Sequence, residues 1–182
     1  MAPKTMPVFP NWFPYNDMML DGHMKVGKWA GVKTRSWEWN YRGLVLLYNS
    51  GRTAQPAIRA YRYVDGPRQH KAIIGVGELS MVRMLVKEEA EKMVCNFNNI
   101  SPAKVRSIIE EFETEDYTPE NILFDFYNFG PYIAPFRVGF FFKSLQRFDR
   151  VPFSWPAGPV KPIFTRIVTG SELQKQLKAA GF

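Results

Sequence analysis

The sequence holds one cysteine, Cys95, and two histidines, His23 and His70, far apart along the chain. A lone thiol cannot form an internal disulfide and leaves no thiolate cluster for zinc. Neither histidine has a second ligand type beside it, so neither a metal site nor a histidine acid–base pair is expected. No cofactor is expected either. The "GVG" at 75–77 lies in an apolar run and lacks the lysine of a phosphate-cradling loop. A Gly-x-Ser-x-Gly nucleophile turn is also missing. Long apolar runs are scarce. The most apolar stretch, "FGPYIAPFRVGFFF", contains two prolines and Arg137 and is too short to span a bilayer. The opening "MAPKTMPVFPNWFPY" is spaced by prolines and has no apolar signal core. A soluble, cytoplasmic protein with no membrane partner is the expectation, and a single cysteine is compatible with a reducing compartment.

Acidic residues are scarce at both ends of the chain and abundant in the middle. Residues 1–87 carry thirteen Lys and Arg against five Asp and Glu, residues 88–125 three against ten, and residues 126–182 eight against two. Two basic parts therefore flank an acidic block. This asymmetry favours a polyanionic partner on the basic parts, and the bland alternative is solubility alone. The acidic block leaves room for a protein partner.

Hydrophobic residues make up 46% of the 182 and aromatics 15%, enough for a packed core in one domain. Residues 1–15 read as an extended arm, because Phe9, Trp12, Phe13 and Tyr15 are costly to leave in water. Residues 16–182 read as a single domain. The segment "YNDMMLDGHM" suggests a short helix ending near Gly22. Strands are expected near 43–50, 57–64, 71–86, 136–148 and 163–168. In the second of these, Arg59, Tyr61 and Tyr63 would share a face. Gly75 and Gly77 suggest a bulge or a close backbone approach in the third. An acidic helical block is expected at about 87–130. Within it, "SPAKVRSIIEEFE" has Ser101 as N-cap and Pro102 at the first helical position, giving a helix at about 101–113. Thr118 and Pro119 repeat that device for a helix at about 118–128. A last helix is expected at about 171–180, with Leu173, Leu177 and Ala180 on one face. Strands, a helical block, more strands and a closing helix make an α+β protein, not a doubly wound sheet. In the proline-punctuated "VPFSWPAGPVKP", Trp155 reads as a core anchor or as an exposed stacking platform.

The stretch "GVKTRSWEWNYRGLVLLYNS" carries cations and aromatics and then turns apolar. On an extended segment side chains alternate faces. Lys33, Arg35, Trp37, Trp39 and Tyr41 would point one way, and Val32, Thr34, Ser36, Glu38 and Asn40 the other. Cations among aromatic planes suit nucleic acid, since cations meet phosphates and rings stack on unpaired bases. The competing reading is that the tryptophans are core and the cations snorkel past them.

This stretch, followed by "AIIGVGEL", resembles the ASCH domain, a branch of the PUA-like superfamily. The resemblance is carried by Gly31, Lys33, Thr34, Arg35–Ser36–Trp37, Tyr41–Arg42–Gly43, Ser50 and Ile73–Leu79. The later "YIAPFRVGFFFKSLQRFDRVPFSWPAGPV" is similar to the family's aromatic strand and proline-rich loop. The resemblance covers roughly residues 16–86 and 131–168. It implies a PUA-like mixed β pseudo-barrel with packed helices, here with an enlarged helical insertion, and a cleft for RNA or modified nucleotides. Many members read Lys-Thr-x-Glu-x-Arg. Here Lys33–Thr34 runs directly into Arg35–Ser36–Trp37, without the fourth-place carboxylate or hydroxyl that the amidohydrolase members use beside the lysine. The resemblance therefore supports the cleft more than it supports catalysis.

Two functions from different classes follow. The first is binding of nucleic acid, most simply RNA, with a modified DNA base or nucleoside as a variant. Lys33, Arg35, Arg42, Arg137, Lys143 and Arg147 would meet phosphates, and Trp37 and Tyr41 would meet bases. The second is a hydrolase acting on RNA or a modified nucleoside, with Lys33 assisted by Thr34, Ser36 or Glu78. Glu78 stands alone on an apolar strand and needs a partner, for which Lys33 or Arg35 is a candidate. Such a pair reads either as a proton-transfer device or as a structural ion pair. Lys143 and Arg147 share parity on an extended strand, which suits a phosphate track or a charge-protected edge.

Overall fold

The computed structural model describes residues 5–115, 138–156 and 161–182. Strands occupy Thr5–Phe13 (β1), Gly31–Arg35 (β2), Gly43–Thr53 (β3), Ala72–Met84 (β4), Val138–Pro152 (β5) and Ile163–Arg166 (β6). Helices occupy Tyr15–Leu20 (α1), Gln55–Tyr61 (α2), Lys87–Asn98 (α3), Pro102–Phe112 (α4) and Glu172–Ala179 (α5). The class is α+β. One sheet runs β2-β5-β4-β3-β1-β6, with β1 and β3 parallel and the other pairs antiparallel.

Alternation along the strands divides the core in two. Val45 and Leu47 of β3 pack on one side with Phe9, Phe140, Phe142 and the α1 residues Met18 and Met19. Leu46 and Tyr48 pack on the other with Val8, Ile73 and Val76, under Leu173 and Leu177 of α5. That i, i+4 leucine pair is the face expected for the last helix, whose Ser171 Oγ accepts a hydrogen bond from the Gln174 N–H. Trp155 stacks on Tyr48 with ring centroids 5.1 Å apart, so it anchors its loop.

The expected pseudo-barrel is not closed by ladder pairing among the described residues: the sheet ends at β2 on one side and β6 on the other. Side chains bridge the gap instead. Phe9 of β1 packs at 5.3 Å on Phe140 and 5.8 Å on Phe142 of β5, although β3 and β4 lie between those strands in the sheet. The sheet is therefore strongly bent around this inner side. At its edge the Arg35 guanidinium donates to the Pro10 carbonyl at 2.7 Å and to Asn11 Oδ1.

Three further expectations change. Residues 57–64 are not a strand. Pro56 opens helix α2, and Ala57, Ile58 and Tyr61 lie at helical spacing against the core. Residues 5–13, read as an arm, form β1 inside the sheet. Pro10 is tolerated because β6 pairs only as far as Val8, so no ladder remains on that side of Pro10. β2 stops at Arg35, and residues 36–42 are not a strand. The helix expected at 118–128 lies outside the described residues. The helix at 101–113 forms as Pro102–Phe112, with Ser101 Oγ accepting from Lys104 N–H at 3.2 Å.

The β4 glycines do what the sequence suggests. Ile74 is extra in the β3–β4 pairing, where Leu47 faces Gly75 and Tyr48 faces Ile73. A Cβ at Gly75 would lie 2.6 Å from the Gln146 carbonyl oxygen, a backbone atom that cannot swing aside. Gly75→Ala is therefore expected to cost about 1–3 kcal/mol and to lower Tm by about 2–12 °C. A thermal melt checks this, and an unchanged Tm would show that the β4–β5 backbone relaxes freely.

Candidate nucleic-acid interface

The alternation expected for residues 33–41 holds, but the cationic side faces inward. Lys33 is buried, and Arg35, Trp37, Trp39 and Tyr41 are half-buried, while Ser36, Glu38, Asn40 and Arg42 are exposed. Through β2 this follows from the pleat, as Lys33 stands opposite Phe140 on the inner side. Past Arg35 the chain leaves the ladder, yet its large rings still turn to apolar neighbours. Trp37 meets Phe140 edge-on at 5.2 Å. Trp39 stacks between Phe9 at 6.3 Å and Tyr41 at 4.9 Å, and Tyr41 meets the exposed Phe164 of β6 at 6.0 Å. A row of rings thus runs from the surface at Phe164 to buried Phe9, with the Arg35 guanidinium 5.0 Å over the Phe9 ring.

Lys33 lies deeper. Its ammonium sits 4.1 Å from the Tyr15 ring centroid and 5.0 Å from that of Phe97. Burial pushes its pKa well below the usual lysine value, and the positive Arg35 pushes it the same way. No carboxylate among the described residues opposes the Lys33 ammonium. A cation–π contact is worth about 0.5–2 kcal/mol, whereas taking an ammonium out of water costs several kcal/mol (order of magnitude). The rings therefore do not offset the burial, which disfavours the charged form. Burial also holds the Tyr15 hydroxyl in its neutral form, against the pull of Arg35.

Polar groups gather beside these cations. Asn11 Nδ2 donates to Asn16 Oδ1 at 2.5 Å. Asn49, opposite Asn11 across the β1–β3 pair, donates to Asp17 Oδ2 at 2.7 Å. Asn11, Asn16, Asn49 and Asp17 are all buried. Sequence reasoning missed Asn11, Tyr15 and Asn16. Their signal was weak: two asparagines flanking aromatics and prolines, Asn11 in the segment read as an arm and Asn16 in the short helix expected after it.

The remaining candidates separate. Thr34 is buried on the face opposite Lys33, and Ser36 is exposed. The expected Lys33–Glu78 pair is not formed. Glu78 instead lies 3.7 Å from Lys143 and accepts from Ser144 Oγ at 3.4 Å, because β4 pairs with β5 at that point. Arg147 is engaged by Asp17 and Asp21, each at 2.9 Å. The expected track through Lys143 and Arg147 therefore consists of ion-paired groups. Arg42 is exposed and donates to three carbonyls, those of Trp39, Tyr41 and Val82. Arg137 lies outside the described residues. No cluster of metal-ligating side chains occurs among the described residues. No helix among them is long and apolar enough to cross a membrane.

No family model and no curated protein matches the sequence. Among solved structures, the chain is similar to ASCH from Zymomonas mobilis, at 11% identity over 96% of this chain and 94% of that one, with a TM-score of 0.42. A tyrosine-to-phenylalanine mutant of ASCH from the same organism gives 12% identity over 95% and 96% of the two chains, with a TM-score of 0.44. A serine-to-alanine mutant gives 12% over 98% and 99%, with a TM-score of 0.42.

The burial of Lys33 has a measurable signature. Its folded pKa lies below its unfolded value of about 10.5, so the unfolded chain binds more protons in the interval between the two. Stability then rises with pH across that interval. Below the folded pKa the full burial penalty is present, and above about 10.5 it is gone. Lys33→Met removes the penalty and is expected to stabilise the protein by about 1–4 kcal/mol at neutral pH. Its advantage over the parent should shrink as pH rises towards 10.5. Paired melts from about pH 6 to about pH 10 read this directly. A variant less stable than the parent at every pH would rule the account out.

Proposed function

We propose that this chain is an RNA-binding protein that takes an unpaired nucleotide onto the inner side of the bent sheet. One observation carries the reading: Lys33 and Arg35 on the inward side of β2 are followed by Trp37, Trp39 and Tyr41, whose rings turn to the same side past the end of the strand. Rings stack on any base, and cations satisfy the oxygens of bases and phosphates. The net charge of +7 supports a polyanionic partner. In this reading Lys33 and Arg35 meet the oxygens of the held nucleotide and Trp37 or Tyr41 offers a ring. Exposed Arg42 takes a neighbouring phosphate. Lys143 and Arg147 serve the fold, since carboxylates already occupy them.

A second reading is favoured by the lowered pKa of Lys33. An amine whose charged form is disfavoured, beside a second cation, suits a general base, and a hydrolase acting on RNA or a modified nucleoside would use it so. Lys33 would act there without Glu78, which is held by Lys143.

Both readings are tested on the same proteins. The parent is expected to bind single-stranded RNA with an affinity that falls as salt rises. Lys33→Met, although more stable, should bind about tenfold or more weakly, the loss of a charged hydrogen-bonding group. Tyr41→Ala should lose about 1–3 kcal/mol of affinity if its ring stacks on a base. Fluorescence anisotropy on labelled oligonucleotides measures both. Absence of RNA binding at low salt, or full binding by Lys33→Met, overturns the binding reading. Turnover of RNA or acetylated cytidine by the parent, seen by mass spectrometry and lost in Lys33→Met, would replace it with the enzymatic one.

A further inference from the structure

A second basic region lies away from the inner side. Residues 51–71 carry Arg52, Arg59, Arg62, Arg68 and Lys71 against a single acid, Asp65, and that acid is engaged by His70 Nε2 at 2.8 Å. All five cations are exposed, and none forms an ion pair with a described residue. The fold gathers the segment at one end of the sheet, around Phe13. The Ala54 N–H donates to the Phe13 carbonyl at 2.7 Å, and the rings of Tyr63 and His70 pack edge-on against Phe13 at 6.0 and 5.7 Å. His70 Nδ1 also lies 3.1 Å from the Ser50 carbonyl oxygen, which draws the Lys71 end of the segment onto its Arg52 end. Arg52 in turn lies 5.6 Å over the Trp12 ring.

The backbone adds an independent observation. Three described non-glycine residues have positive φ, and two of them are Arg62 (φ 56°) and Lys71 (φ 52°). Arg62 is the left-handed cap of α2, a position that glycine or asparagine fills at least cost. The third, Asn99, caps α3 and is such a residue. A cation at both of the other places keeps strained backbone where a glycine would relieve it, and such strain is a pointer to function.

We propose that this end of the sheet is a second RNA contact, a phosphate-binding surface that holds the strand running beyond the nucleotide on the inner side. The inference rests on the RNA-binding reading. Five cations with no ion pair among the described residues, against a single acid on 21 residues, match a chain of phosphates in charge. The half-buried Trp12 ring beneath Arg52 adds a flat surface of the kind single strands favour.

The test compares salt slopes of single-stranded RNA binding. One variant neutralises the surface: Arg59→Gln, Arg68→Gln, Arg62→Asn and Lys71→Asn, with asparagine chosen because it tolerates left-handed backbone. A smaller variant, Arg59→Gln with Arg68→Gln, leaves the strained positions untouched and guards against a folding defect. A control removes the same charge elsewhere: Lys104→Gln, Arg106→Gln, Lys175→Gln and Lys178→Gln, all exposed on α4 and α5. The fourfold variant is expected to flatten the slope of log affinity against log salt by about two to three units, and the twofold variant by about one. The control should flatten it by less than about one unit. A parent slope retained by the twofold and fourfold variants, or lost equally in the control, overturns this surface and leaves RNA binding intact. A parent that binds no RNA overturns both readings together.

Discussion

The buried carboxylate of Asp17 holds together the inner side of the molecule. It accepts from Arg147 at 2.9 Å and from Asn49 at 2.7 Å, which ties α1 to β5 and β3 at once. One turn on, Asp21 accepts from Arg147 at 2.9 Å and from the Tyr63 hydroxyl at 2.7 Å. A helix of six residues with no side-chain cap is too short to persist alone. Its place is set by these bonds and by Met18 and Met19 beneath it. Since Tyr15 and Asn16 belong to this helix, the cover over Lys33 depends on the same carboxylate.

What that cover encloses is expensive. Lys33 is buried without a counter-charge among the described residues, and the buried Asn16 Nδ2 and Asn49 Oδ1 atoms have no hydrogen-bond partner among them. A fold selected for stability alone would place apolar groups here, as it does on the other side of the sheet, where Leu46, Val76 and Leu173 meet. The contrast lies within one sheet, under the same packing constraints. Conflict between local chemistry and the surrounding core is where function is expected. It falls at the place that the ring row and Arg35 also reach.

Much of this was legible from the sequence. Continuous apolar runs gave β3, β4 and β5, and Ser101 marked a helix start because its hydroxyl replaces a missing backbone acceptor. The glycines of β4 marked a bulge. Parity from Lys33 to Tyr41 was also legible, since alternation is a property of extended backbone. Which side faced inward was not, because that depends on how far the sheet bends and on which helix covers it. The strand reading of "AIRAYRYV" failed because the β-favouring Tyr and Ile also fit the helical spacing 57, 58, 61 behind Pro56. β1 was hidden by its prolines, whose tolerance depends on where β6 stops pairing, a tertiary fact.

The distribution of acids decides which cations remain available. Lys143 and Arg147 looked like a track because they share strand parity, yet Glu78, Asp17 and Asp21 face them. Arg83 is likewise spent, in a two-pronged bond to Glu89 at 2.6 and 2.7 Å that fastens the end of β4 to the first turn of α3. That bond holds the Glu89 carboxyl below its ordinary pKa. Each of these contacts joins segments distant in sequence or ends one element on the next, which is the work of an ion pair in a fold. The cations of residues 51–71 form no ion pair among the described residues, and the one acid among them is turned to His70. Positive charge in this chain thus divides by its partners. Where a carboxylate faces it, it fixes architecture. Where none does among the described residues, at Lys33 inside or around Phe13 outside, aromatic rings and solvent are what meet it.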